Sequence, residues 1–172
     1  MHGFCSNVPL KEGDIISIDC GVIYEGYHSD AARTFPVGNI SIKNSNLIEA
    51  TKQSFFEGIK DIKAGSRLGH ISHKIQVYLE SRGYGVVREL CGHGVGTHLH
   101  EDPLVPNYGK YNSGIVLQEG MTLAIEPMAT LGRRDVYLED NDWTVTTQDG
   151  LPSAHYENTI LITKDGVEIL TL

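Results

Sequence analysis

Four carboxylates and one imidazole stand in this sequence where side chains can do chemistry. Asp19 follows the run Ile15-Ile16-Ser17-Ile18 and precedes Cys20-Gly21-Val22, an apolar setting in which an unpaired carboxylate is expensive. Glu126 ends Thr122-Leu123-Ala124-Ile125 just before Pro127, and Glu157 precedes Thr159-Ile160-Leu161-Ile162, so each acid sits at the rim of an apolar strand. His93 lies in CGHGVGTHLH, where flanking glycines let the backbone approach a site and free the ring to point at a ligand. Each residue has a plainer reading: Asp19 and Asp30 on a solvated sheet face, Glu126 and Glu157 as ordinary strand-end acids, and His93, His98 and His100 as a surface loop. Their conjunction matches an oxygen-rich site for paired divalent ions.

The elements that must position these groups can be read next. Ile15 to Phe35 reads as two strands joined at Glu25-Gly26. A two-residue turn there sets Asp19 opposite Ala32 and diagonal to Asp30, with both carboxylates on one face. Diagonal neighbours stand about 7–8 Å apart by backbone, close enough to reach a common cation and costly if nothing neutralises them. Asn44 to Lys63 has helical periodicity and is closed by Gly65, and a second helix from Leu68 to Arg82 is capped by Gly83. The remainder is strand-like: VVREL, CGHGVGTHLHEDP, MTLAIEPM, a turn-rich stretch around Asp140, then HYENTILIT and VEILTL. With no repeat, low-complexity run or linker, the expectation is one α+β domain over residues 1–172 whose early hairpin shares a sheet with the later strands.

Composition agrees with a globular chain: 172 residues, 40% apolar and 21% charged, can bury a sizeable core. Cys5, Cys20 and Cys91 form no paired framework and read as free thiols in a reducing compartment. No membrane span or secretory signal is visible, so a cytoplasmic location is expected. A formal net charge of -8 argues against a nucleic-acid surface.

On SIDCGVIYEGYHSDAARTF, CGHGVGTHLHEDPLVPNYG, LAIEPM and DWTVTTQDGLPSAHYENTILIT, in that order, the chain resembles the type I methionine aminopeptidases of the pita-bread (creatinase/aminopeptidase-like) fold. The resemblance implies an antiparallel sheet with helices packed on one face. It makes Asp19 a chelating ligand of one ion, His93 and Glu126 ligands of the other, and Asp30 and Glu157 the bridging carboxylates. The ions would be Mn, Co, Fe or Zn. It further implies Glu126 as general base, His100 as the histidine at the scissile amide, and Leu99 and Trp143 as borders of the methionine pocket. Leu99 stands where the family more usually has Phe. The substrates implied are N-termini of peptides and nascent proteins, with methionine released before a small second residue.

His2-Gly3 resembles the family's HGIP segment, whose histidine lies near the leaving group; the plainer reading is a terminal histidine tied to nothing. Family members carry further helices and strands ahead of this point, so the expectation is an N-terminally truncated fold that self-associates through the surface this exposes. Two rivals remain. A proline-specific aminopeptidase or prolidase shares the ligand types, although VPNYG, IEPMA and SAHYENT look like the methionine-specific group. The other rival is an inactive, truncated metal-binding module.

Overall fold

Glu25 and Gly26 both take positive φ, 49° and 85°, the backbone of a type I′ turn that matches the twist of paired strands. That turn sets the register of β1 (Ile15–Tyr24) and β2 (Tyr27–Pro36). In this computed structural model, which describes residues 3–171, Asp19 pairs with Ala32 and Gly21 with Asp30, as the turn predicts. The apolar surroundings expected for Asp19 are not found: β1 is half-buried only from Ile15 to Ser17 and exposed from Ile18 onward. The cause is topological, since among the described residues β1 pairs with β2 alone.

Helix α1 (Ile42–Ile59) starts at Ser41, whose hydroxyl caps Asn44 N at 3.1 Å. It ends before Asp61, which takes φ 63°, and so stops short of the predicted Lys63. Helix α2 (Leu68–Glu80) ends just ahead of Gly83 at φ 81°. The two helices pack closely at Gly58, where a Cβ would come within 2.7 Å of Ile75 Cγ1.

The later chain is all strand: β3 (Gly85–Val86), β4 (Gly92–Gly94), β5 (Glu101–Val105), β6 (Thr122–Ile125), β7 (Met128–Thr130), β8 (Val136–Leu138), β9 (Val145–Thr147), β10 (Ser153–His155), β11 (Asn158–Ile162) and β12 (Val167–Ile169). Five of these form the antiparallel order β12-β11-β6-β4-β5, and three form β10-β7-β3. The turn-rich stretch around Asp140 is itself a hairpin, β8-β9. Of the expected strand at VVREL only its start pairs, in β3. Leu47, Phe55, Ile71 and Ile75 of the helices share one core with Val86, Leu123, Ile125, Ala129, Ile160 and Ile162 of the strands. No helix among the described residues is long and apolar enough to cross a membrane.

The early hairpin does not enter a later ladder, contrary to expectation; it forms its own two-stranded sheet. Two threonine hydroxyls replace the missing ladder bonds. Thr34 Oγ1 accepts from His155 N at 2.8 Å and donates to His155 O at 2.9 Å. Thr159 Oγ1 accepts from Asp30 N at 2.8 Å and donates to Asp30 O at 2.9 Å. Between them Glu157 N donates directly to Ala32 O at 2.9 Å. The chain breaks its strand at Tyr156-Glu157, so a regular ladder to β2 cannot run through, and these bonds fix Asp30 and Glu157 to each other instead.

Candidate metal centre

Strands from both halves of the chain deliver their acids and imidazoles to one cavity. β4 places His93 opposite Ala124 of β6, and Glu126 follows β6 directly. His93 Nδ1–H donates to Gly94 O at 2.8 Å, which leaves the Nε2 lone pair facing the site. That nitrogen stands 3.8 Å from Asp30 Oδ2 and 3.8 Å from Glu126 Oε1. Asp30 uses Oδ1 to accept Ala31 N at 3.1 Å. Behind Glu126, Asn107 Nδ2 donates to its carbonyl at 2.9 Å. Arg33 braces the other wall, donating to Glu157 O and, at 2.6 Å, to Asn158 Oδ1.

A sixth group joins the five read from the sequence. His155 is buried, with Nε2 3.3 Å from Glu126 Oε2 and 3.8 Å from Glu157 Oε2. Its signal in the sequence is the i, i+2 spacing with Glu157, which puts alternate residues of an extended segment on one face. Ligand atoms of Asp30, His93 and Glu157 lie within 4.8 Å of one another, and so do those of Asp19, His155 and Glu157. Glu157 belongs to both groups.

The electrostatics are those of buried acids crowded together, with burial and like charge outweighing the nearby Arg33 and His93. Burial, then the Glu126, Asp30 and Asp19 carboxylates, push Glu157 up to about 10. Burial pushes Glu126 up to about 8, opposed by His93 and reinforced by Asp19 and Asp30. Burial also drives His155 down to about 4, against the pull of Asp19. Among the described residues, Glu157 Oε1 and His155 Nε2 are buried without a hydrogen-bond partner. Buried polar atoms of this kind are rarely left unsatisfied, and carboxylates with imidazoles are a ligand set that divalent ions accept. The residues present fit such ions.

The remaining predicted residues divide by position. His100 is exposed on the cavity side, its ring edge-on to His93 with centroids 4.3 Å apart. It lines a cavity of about 630 Å³ together with Asp19, Asp30, His93, Glu126 and Glu157. Leu90, Cys91 and Leu104 supply an apolar wall that was not predicted. His98 turns to solvent, 3.5 Å from Glu101. Leu99 rests over Gly21, and Trp143 stacks on Phe4 with centroids 5.9 Å apart; neither lines the cavity. His2 lies outside the described residues.

Comparison with known proteins places this geometry. Residues 1–164 match the model of metallopeptidase family M24. A methionine aminopeptidase of Clostridium acetobutylicum is 58% identical over 173 residues, covering 100% of this chain and 69% of that protein. The crystal structure of a methionine aminopeptidase from Thermotoga maritima superposes with a TM-score of 0.91 at 50% identity, over 94% of this chain and 65% of that one. A prolidase from Pyrococcus furiosus superposes with a TM-score of 0.78 at 28% identity, over 97% of this chain and 44% of that one. The chain thus spans about two thirds of the length of its methionine aminopeptidase relatives.

Proposed function

The chain belongs to metallopeptidase family M24, within its methionine-aminopeptidase-like, pita-bread branch, and from that premise we propose that it releases N-terminal methionine from peptides and nascent proteins with a small second residue. In this reading two divalent ions (Mn, Co, Fe or Zn) are held by Asp19, Asp30, His93, Glu126 and Glu157. The observation that carries it is the meeting of these side chains at one cavity, with Glu157 common to two donor groups and its Oε1 buried without a partner among the described residues.

Bound there, the ions would lower the pKa of a water and polarise the scissile carbonyl. Glu126 serves as general base: its carboxylate borders the cavity, where it can take a proton from the attacking water and return it. His100 stands free on the cavity side of His93, where its ring N–H can donate to the amide oxygen as charge develops. Glu89, Glu101 and Asp102 make the mouth acidic, which draws in an α-ammonium group. Leu90, Cys91 and Leu104 offer the apolar surface that a methionine side chain needs. Leu99, Trp143 and His2 are assigned to substrate binding by resemblance alone. The setting this implies is cytoplasmic, acting on emerging N-termini without nucleic acid or membrane.

The test is turnover of Met-Ala and Xaa-Pro peptides by the chelator-stripped chain reloaded with Mn or Co. Cleavage of Met-Ala alone is expected. Preferential cleavage of Xaa-Pro would move the chain to the proline-specific group, and two bound ions with no turnover of either peptide would leave a binding module.

A further inference from the structure

We propose that His155 is itself a metal ligand, completing the ion position formed with Asp19 and Glu157 and giving the centre a second imidazole beyond the five residues assigned above. The inference rests on reading the site as a metal centre, and concerns which atoms hold the second ion.

The backbone of His155 is clamped on both sides. Its N–H and C=O both bond to Thr34 Oγ1, at 2.8 and 2.9 Å, and β10 pairs it with Met128. The ring is 1% exposed, so it has no route to solvent. Its Nε2 nevertheless has no hydrogen-bond partner among the described residues, although carboxylate oxygens of Glu126 and Glu157 lie 3.3 and 3.8 Å away. A buried ring nitrogen at such a place is ordinarily satisfied.

Its separations suit shared coordination. Two donors each about 2.0–2.2 Å from one ion stand roughly 3–4 Å apart. His155 Nε2 is 3.3 Å from Glu126 Oε2 and 3.8 Å from Glu157 Oε2, and it falls with Asp19 and Glu157 in a group whose ligand atoms lie within 4.8 Å. The two donor groups are then alike in kind: an aspartate and a histidine on each side of Glu157, Asp30 with His93 and Asp19 with His155. An imidazole in the second position favours Co, Fe or Zn over Mn there, since carboxylates suit Mn better than nitrogen does.

The competing role is a ring N–H that merely donates to Glu126 or Glu157. A glutamine amide can supply that donor, so His155→Gln separates the two. The 172-residue chain, stripped by chelator, is titrated with Co(II) and with Mn(II) by calorimetry, and the Co(II) form is followed by visible absorption. The wild type is expected to take two Co(II) ions. In His155→Gln the second Co(II) should bind at least about tenfold more weakly, with an altered absorption spectrum and a smaller loss for Mn(II). Identical stepwise affinities and spectra would reduce His155 to a donor and overturn the proposal while leaving the five-residue centre intact. A wild type that takes up no Co(II) would instead overturn the metal-centre reading, and this inference with it. A measurement needing no variant is proton NMR of the Co(II)-loaded wild type with labelled histidine. Two strongly shifted coordinated imidazoles are expected, and only one would overturn the assignment.

Discussion

Replacing Glu157 by glutamine should stabilise the metal-free chain at pH 7.5 while destroying its ability to be stabilised by metal. Burial and three neighbouring carboxylates raise this acid from 4.5 to about 10, so the folded apo-protein keeps its proton where the unfolded chain has released it. A raised acid contributes its full share of stability below its unfolded value and loses it as pH climbs toward the folded one. At pH 7.5 the unfolded carboxyl is about three units past its own pKa, and at about 1.4 kcal/mol per unit this penalises the fold by up to ~4 kcal/mol. Glutamine fills the same volume without titrating, so Glu157→Gln should gain up to that amount at pH 7.5 and little near pH 5. For a chain of this size each kcal/mol is about 2–4 °C in melting temperature. The assay is thermal unfolding in chelator at both pH values, repeated with saturating Co(II). The wild type should rise sharply with metal, and the variant should not. A variant destabilised equally at pH 5 and pH 7.5 in chelator would refute the claim that burial and the neighbouring carboxylates hold Glu157 protonated.

Asp30→Ala or Glu157→Ala should cut Met-Ala turnover by at least about a hundredfold. His98→Ala, at an exposed residue whose ring meets Thr97 and Glu101 outside the cavity, should stay near wild type, and equal losses at all three would remove the special role of the shared acids. Excess chelator should abolish turnover, and Mn, Co or Fe should restore it; full activity with metal content verified as nil would exclude metal-assisted hydrolysis. Arg33→Ala strips donors from Glu157 O, Asn158 Oδ1 and Thr171 O and should cost about 1.5–3 kcal/mol in denaturant unfolding. Ile18, Val22 and Tyr24 lie exposed on one face of β1, with Tyr27 across from Tyr24, so sedimentation should show concentration-dependent self-association that Val22→Lys weakens; a monodisperse monomer at all concentrations would contradict this.

How far the site was legible follows from which interactions are local. The hairpin register was readable residue for residue, because a Glu-Gly pair at positive φ leaves one pairing and Asp19 must then face Ala32. Helix α2 was readable from its periodicity and Gly83, whereas the end of α1 was not, since Asp61 adopts positive φ without a glycine to announce it. The four acids and one imidazole stood out by residue type and by the apolar runs and glycines beside them. His155 did not, because no apolar periodicity surrounds it and its place depends on bonds to Thr34, far away in the chain. The same holds for the seam between hairpin and sheet. An expected ladder is replaced by the hydroxyls of Thr34 and Thr159, and nothing in the pattern of a strand distinguishes a threonine that packs from one that stands in for a backbone group. These two residues have a functional consequence: each holds both backbone groups of a site residue, Thr34 those of His155 and Thr159 those of Asp30. The seam that departs from regular β-structure is therefore what positions the donors on either side of Glu157.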